Sequence, residues 1–429
     1  MRRKIILAWQ AACLLLVAVT LYLGHDQLAR LPRPALFKPD HQPSHNTSTS
    51  SPAAKPVEHG ILSPANRTAF IEAIMNPNAT HLPRLQCPQS DFSRYEYLKR
   101  DDGDSDSSRI QYLIALDLRE CLSLLPRLIG SVVETIRFLG PERCALSIIE
   151  GNSPDGTGEV LAALRPELDK LTTPYYFQSS AINPKKGNRI EKLAALRNMA
   201  VQPLLDDDEA KKYSPNTTVV FLNDVAICAE DMLELVHQRR FLGADMTCAM
   251  DWTYVGRDPT FYDVWIARGM TGDSFFDIPP SGSWDSAWNL FWNDPAAQAR
   301  LNAHRPFQVF SCWNGATAFT AAPLLRRQVA FRAAREGECL QGEPQLFCKD
   351  LWFHGYGKIA VVPSISLEYS DEKAKQIKQA KGFTSQWATG SGSDEDKIVW
   401  QLEPPAKVKC IPSYEHQFFE AWNKTQPGT

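Results

Sequence analysis

The chain has 429 residues, enough for one large domain or two ordinary ones. Apolar residues make up 44% and charged residues 22%, close to globular proportions, so a sizeable core can form. A formal net charge of −3 leaves no basic footprint and argues against nucleic acid as a partner.

Residues 1–4 (MRRK) are basic, and residues 5–23 carry no charge, with Gln10 and Thr20 as the polar breaks. At about 1.5 Å rise per residue, a helix over 5–23 nearly crosses a hydrocarbon layer of about 30 Å. The positive residues ahead of it favour a cytoplasmic N-terminus. Leu-Gly-His-Asp-Gln after Tyr22 is a poor cleavage site, so the run reads as an uncleaved type II anchor rather than a removed signal peptide. The remainder is then expected on the lumenal or extracellular side. Asn-x-Ser/Thr sequons at Asn46, Asn66, Asn78, Asn216 and Asn423 agree. Cys13 lies in the apolar run. Cys87, Cys121, Cys144, Cys228, Cys248, Cys312, Cys339, Cys348 and Cys410 lack Cys-x-x-Cys spacing and read as the cysteines of an oxidising compartment. Their odd number leaves at least one free or paired between chains.

Residues 24–84 are rich in Pro, Ser, Thr, Asn and His and read as an extended stem, with one short helix at 63–75. The head begins near Leu85. "RIQYLIALDL" (109–118) predicts a buried strand, and "LSLLPRLIGSVVETIRFLG" (122–140) a helix ending at Gly140. "CALSIIEGNSPDGTGEVLAALRPEL" (144–168) gives a strand ending in Glu150, a turn and a helix. "TPYYFQSS" (173–180) gives a third strand, 188–206 a helix, and "VVFLNDVAIC" (219–228) a fourth strand. Strands alternating with helices imply a mostly parallel α/β sheet, whose ligands bind at the carboxyl ends of the strands. Asp117, Glu150, Asn223 and Asp224 all fall at such ends. No G-x-G-x-x-G follows the first strand and there is no P-loop, so dinucleotide and P-loop chemistry are poorly supported.

From 251 to 313 the chain is crowded with Trp, Tyr and Phe, interleaved with aspartates. Rings beside carboxylates suit sugars, which have apolar faces and hydroxyl edges; the same rings also suit a plain core. Asn223-Asp224 reads either as a turn after a strand or, at the end of a fourth alternating unit, as a site for a divalent ion that neutralises a departing diphosphate. "NPKKGNRIEKLAALRNMA" (183–200) offers Arg189, Arg197 and Asn198 to a base, ribose or phosphate. In "GADMTCAMDW" (243–252) Asp245 or Asp251 ends a strand. "QVFSCWNGATAF" (308–319) is a strand broken at Trp313-Asn314-Gly315. "GECLQGEPQLFCKDLWFHGYGKIAVVPSISLEY" (337–369) packs Glu338, Glu343, Lys349, Asp350 and His354 together, and Glu343 or Asp350 suits an acidic group facing a sugar.

"FLNDVAICAEDMLELV", "GADMTCAMDW", "FYDVWIARGM", "QVFSCWNGATAF" and "LFCKDLWFHGYGKIAVVPS" together resemble the fungal cryptococcal mannosyltransferase family, the family 69 glycosyltransferases. The resemblance runs from about Leu85 to Tyr369. It implies a Golgi type II protein with a GT-A-like nucleotide-sugar transferase head. It also implies transfer of mannose from GDP-mannose to the 3-hydroxyl of an α-mannoside, with retention, aided by a divalent metal (Mn²⁺, or Mg²⁺). The expected organisation is a tail at 1–4, an anchor at 5–23, a stem at 24–84 and a catalytic domain at 85–429. That domain divides into a nucleotide-sugar half (109–228), an acceptor half (229–369) and an extension (370–429). Asp224 is the expected metal ligand, with Asp117, Glu150, Arg189, Arg197, Asn198 and Asn223 on the donor. Asp251, Glu343 and Asp350 are the catalytic candidates, and Asp263, Trp313 and Asn314 face the acceptor. Relatives are expected to carry a cysteine where "GEPQ" places Pro344. Other readings are a transferase using UDP-xylose or UDP-galactose, a non-catalytic Golgi scaffold or glycan-binding protein, and a glycosidase built on Glu338, Glu343 and Asp350.

Overall fold

The computed structural model describes residues 62–89, 91–100, 109–388 and 394–425. The expected anchor at 5–23, Cys13 and Asn46 lie outside them. Among the described residues no helix is long and apolar enough to cross a membrane.

Chain order runs α1 (Pro64–Met75), β1 (Ile110–Leu118), α2 (Leu125–Leu139), β2 (Cys144–Glu150), α3 (Thr157–Ala163), β3 (Tyr175–Ser179), α4 (Arg189–Ala200) and β4 (Tyr213–Leu222). It continues through α5 (Ala229–Phe241), β5 (Met246–Val255), β6 (Asp258–Phe261), β7 (Arg268–Gly269), α6 (Pro295–Asn302), β8 (Phe307–Ser311) and β9 (Ala316–Thr320). Then come α7 (Glu343–Phe353), β10 (Ile359–Leu367), α8 (Asp371–Lys381), and a hairpin of β11 (Lys407–Cys410) with β12 (Phe418–Ala421).

The helix expected at 63–75 forms, but it does not belong to an extended stem. Ser63 caps α1 by accepting from the Asn66 N–H at 3.2 Å, and Pro64 sits in the first turn, where it has no N–H to lose. The helix packs on α2 and α3, burying Ala73 and Ile74. Arg84, itself buried, then donates to the carbonyls of Ala73, Asn76, Pro77, Ala79 and Pro126. The folded head therefore takes in residues 62–84, which corrects the stem boundary at 84. Polar, proline-rich composition covers the whole stretch, whereas α1 docks through a few apolar residues near its end, Phe70, Ile71, Ala73, Ile74 and Met75.

The large sheet has the order β3-β2-β1-β4-β9-β5-β10-β8-β7, with β6 on β5. β3, β2, β1 and β4 are mutually parallel. β9 runs against both β4 and β5, and β10 runs with β5. The chain steps outward from β1 to β2 to β3, then returns to the other side of β1 with β4. The carboxyl ends of β1 and β4 therefore flank a topological switch point, where open α/β sheets bind ligands.

The two faces of β1 show why its residues alternate. Tyr112, Ile114, Leu116 and Leu118 pack with Leu125, Leu128, Ile129 and Val132 of α2. Leu113 and Ala115 face Ala194, Leu196 and Ala200 of α4. With a period of two, Asp117 belongs to the α4 side. Of the aromatic run in the second half, Trp252, Phe261, Phe275, Phe276, Phe291, Phe307, Phe310 and Trp313 are buried in the core. For these rings the plain reading holds. Tyr262, Trp265 and Trp288 are exposed.

Cys87–Cys228, Cys248–Cys312 and Cys339–Cys410 are disulfides, and Cys121, Cys144 and Cys348 are buried free thiols. Pro344 stands in the first turn of α7, where proline is at home.

Candidate active site at the carboxyl edge of the sheet

Strand register assembles the site. Leu116 of β1 pairs with Leu222 of β4, so Asp117 and Asn223 are the next residues on adjacent strands. Leu222 also pairs with Ala316 of β9, which sets the preceding turn against them. In that turn Asn314 and Gly315 both have positive φ, 56° and 80°. A Cβ at Gly315 would lie 3.0 Å from Val225 Cγ1 and 3.4 Å from Asp251 Cβ, so a side chain there would crowd the site. The Gly315 carbonyl accepts from the Asn223 N–H at 2.9 Å. Asp251 is held on β5 opposite Leu367 of β10, two residues before Tyr369.

Arg197 occupies the middle. Its Nε donates to Glu343 Oε1 at 2.8 Å, and its guanidinium carbon lies 4.5 Å from the Trp313 ring centroid and 5.1 Å from that of Phe221. Burial works against its charge, but Asp117, Glu343 and Asp263 outweigh that and hold it protonated. The Trp313 indole N–H donates to Asn223 Oδ1 at 3.1 Å. Asp263 accepts the Asn314 N–H at 3.0 Å, and Asp251 Oδ2 accepts the Tyr369 hydroxyl at 2.6 Å.

Carboxylates outnumber cations here. Burial pushes Asp117 up to about 6, with Arg197 opposing the shift and Glu343 and Asp224 adding to it. Burial pushes Asp263 up to about 6 as well. Asp251 is raised well above the usual range by burial and by Asp263 beside it, and burial raises Asp224. Two buried polar atoms have no partner: Arg197 Nη1 and Asp251 Oδ1. An excess of carboxylate oxygen with an unused donor and an unused acceptor is what a site for a hard divalent cation and a phosphorylated, hydroxyl-rich ligand would show. The residues present fit both.

The structure thus brings together Asp117, Arg197, Asn223, Asp224, Asp251, Asp263, Trp313, Asn314 and Glu343. Arg189 is exposed at the start of α4, about 12 Å along the helix axis from Arg197, yet near enough for its charge to act on Tyr262, which also feels Asp224, Asp251 and Asp263. The fold keeps three other candidates apart. Glu150 lies on the strand face opposite Asp117 and accepts from the Ser153 N–H and the Ser179 hydroxyl, closing its own turn. Asn198 is spent on the Phe331 backbone, donating to its carbonyl (2.8 Å) and accepting its N–H (3.0 Å). Asp350 is two turns along α7 from Glu343, about 10 Å, and is gripped by Arg332 at 2.6 and 2.7 Å. Asn314 is enclosed too. Its amide donates to the Ala249 carbonyl at 2.8 Å, so it shapes the turn and presents no free group to an acceptor.

Reading the sequence missed three residues. Tyr369 follows a strand with no local sign of its bond to Asp251. Arg332 joins Glu338, which in turn accepts from Lys349 at 2.6 Å; Glu338 is held down at about 2 despite its burial because Arg332, the Arg335 N–H and Lys349 surround it. Arg268 is fully buried and donates to the carbonyls of Lys409, Val264 and Ala267 and to Gln341 Oε1. The unpaired look of an arginine inside "VWIARGM" was the available signal.

Residues 111–350 match the family described as Cryptococcal mannosyltransferase 1. An alpha-1,3-mannosyltransferase, CMT1, of Cryptococcus neoformans var. neoformans serotype D is 38% identical over 351 residues, covering 78% of this chain and 74% of that protein. Among solved structures, the mannosyltransferase PcManGT from Pyrobaculum calidifontis, in complex with GDP-Man and Mn2+, is 11% identical with a TM-score of 0.36, covering 71% of this chain and 68% of its own. Residues 1–349 of S. aureus TarS are 12% identical with a TM-score of 0.35, covering 61% of this chain and 60% of that one. The family match and the identity to CMT1, each spanning more than half of the sequence, make this chain a member of the cryptococcal mannosyltransferase family and an enzyme, a glycosyltransferase of mannosyl groups.

Proposed function

We propose that the enzyme transfers mannose from GDP-mannose to the 3-hydroxyl of an α-mannoside with retention, in the synthesis of a glycan or a wall or capsule polysaccharide. The observation that carries the reading is the guanidinium of Arg197, held between Asp117, Asp263 and Glu343 beside Asp224 at the switch point of the sheet. Transfer breaks the bond between the sugar anomeric carbon and the diphosphate, which leaves with the electron pair. The acceptor oxygen forms the new bond and gives up its proton to an oxygen of the departing diphosphate. Arg197, fixed and charged, has Nη1 free for a diphosphate oxygen. Asp224, with Asn223 or Asp117 beside it, would hold a divalent cation, Mn²⁺ or Mg²⁺; when bound, that ion neutralises the leaving diphosphate. Asp251 and Asp263 sit where acceptor hydroxyls and the reacting face of the sugar would be.

The apolar run 5–23 anchors the chain in the Golgi membrane in this reading, with the head in the lumen. The three disulfides support an oxidising compartment.

The test is incubation of the full-length chain, purified in detergent, with GDP-mannose, Mn²⁺ and α-mannobiose, with and without EDTA. The expected product is a trisaccharide with a new α-1,3 linkage by NMR, absent with EDTA. Transfer from UDP-xylose or UDP-galactose in place of GDP-mannose overturns the donor assignment. Absence of binding to any sugar nucleotide overturns the location of the donor site.

A further inference from the structure

We propose that Tyr262 and Trp265 form an aromatic platform for the acceptor glycan, seating two consecutive sugar rings beside the partly exposed Asp263. The inference rests on the reading that the donor occupies the Asp117–Asp224 side of the site.

Single exposed hydrophobic side chains are ordinary on a protein surface and need no explanation. Tyr262 and Trp265 are not isolated in that sense. They are 47% and 39% exposed and bracket Asp263 within four residues. Tyr262 packs edge-on against Tyr369 at 5.1 Å, and the hydroxyl of Tyr369 is bonded to Asp251. An exposed ring is thereby joined, through one partly buried ring, to the carboxylate whose other oxygen, itself buried, has no partner. Trp265 stacks on Tyr414 at 4.8 Å with the planes 20° apart, and Tyr414 accepts the Trp284 indole N–H. The two exposed rings are three residues apart, so their Cα atoms are separated by no more than about 11 Å.

The loop that carries them is rigid. Val264 N–H donates to Tyr262, and Ile266 and Ala267 N–H groups both donate to the Asp263 carbonyl. Arg268 pins the loop from below to Val264, Ala267, Gln341 and Lys409. A ring held in place in the free protein loses little freedom when it stacks on a ligand. A hexose offers that ring an apolar C–H face while its hydroxyl edge reaches Asp263, the partly exposed carboxylate between the two rings. An acceptor with one mannose uses Tyr262; a longer one also uses Trp265.

The test compares the full-length chain with Tyr262→Ala, Trp265→Ala, the conservative Tyr262→Phe, and Trp288→Ala as an exposed ring away from this loop. Tyr262→Ala should raise the acceptor KM by about tenfold, the loss of one stacking contact, and leave the GDP-mannose KM and donor hydrolysis unchanged. Trp265→Ala should abolish the preference for α-mannotriose over α-mannobiose. Tyr262→Phe should restore the acceptor KM lost in Tyr262→Ala, and Trp288→Ala should behave as wild type. Unchanged acceptor KM in both alanine variants overturns the platform. Should GDP-mannose prove not to be the donor, saturation-transfer NMR with α-mannotriose alone decides: signal lost in Tyr262→Ala supports the platform, while equal signal, or none in wild type, overturns it.

Discussion

Arg197 and Glu343 are 146 residues apart in the chain, yet the Nε of one donates to Oε1 of the other at 2.8 Å with both side chains buried. The contact joins α4, which covers the parallel half of the sheet, to the first turn of α7, which lies between β9 and β10 of the mixed half. It also fixes the direction of the unpaired Nη1.

Arg197→Ala should cost about 3–5 kcal/mol, because it leaves Glu343 buried without a cation and takes the same cation from Asp117 and Asp263. Glu343→Ala should cost less, since Asp117 and Asp263 still face the guanidinium, and the double change Arg197→Met with Glu343→Leu should recover part of the loss and none of the transfer. Urea unfolding and a transfer assay on the three variants separate the two outcomes; a double variant that regains activity would falsify the assignment of Arg197 to the donor.

Asp224→Asn should remove transfer without lowering the melting temperature. Burial raises the pKa of this carboxyl, so the fold holds its charged form at a disadvantage, and an uncharged amide relieves it. A drop of many degrees in the melt would assign Asp224 a structural role instead.

Transfer should decline as the pH falls through about 6, where Asp117 and Asp263 take up protons. The effect on stability has the opposite sense. Both folded-state values lie above the ordinary 3.8, so their contribution is fully present below 3.8 and is lost as pH rises through 6. Inactivity at pH 5 should therefore coexist with an intact fold. Circular dichroism beside the rate profile checks this, and unfolding that tracks the rate would contradict it.

The Cys248–Cys312 disulfide clamps β5 three residues before Asp251 and the end of β8 one residue before Trp313. Replacing both cysteines by alanine should lower stability by about 2–5 kcal/mol and reduce activity further than a surface change of equal cost. Thermal melts of the variant, with wild type in reductant alongside, give the comparison.

The parallel half of the fold was legible because each unit is local: an apolar strand, a turn, a helix, then the next. Asp117 and Asn223-Asp224 were placed by the strand ends alone. The second half is assembled from β5, β9, β10 and β8, whose pairings span long stretches of chain, and no local pattern announces them. Asp350 was drawn toward the chemistry because charge is dense around it in sequence; in space that density is an ion-pair cluster with Arg332, Glu338 and Lys349. Glu150 ends β2 as Leu118 ends β1 and pairs with it, so it has the parity of Leu118 and not of Asp117. Tyr369 and Arg268 act through partners more than a hundred residues away, Asp251 and Lys409.

Arg84 gathers the carbonyls at the end of α1 and one from α2, and three residues later Cys87 is bonded to Cys228 at the head of α5. A pull on the chain upstream of residue 62 is therefore taken by a covalent strap and a buried guanidinium on the outer helices. The load path passes by way of α1, α2 and the head of α5, and it meets the chain at Cys228, four residues past Asp224.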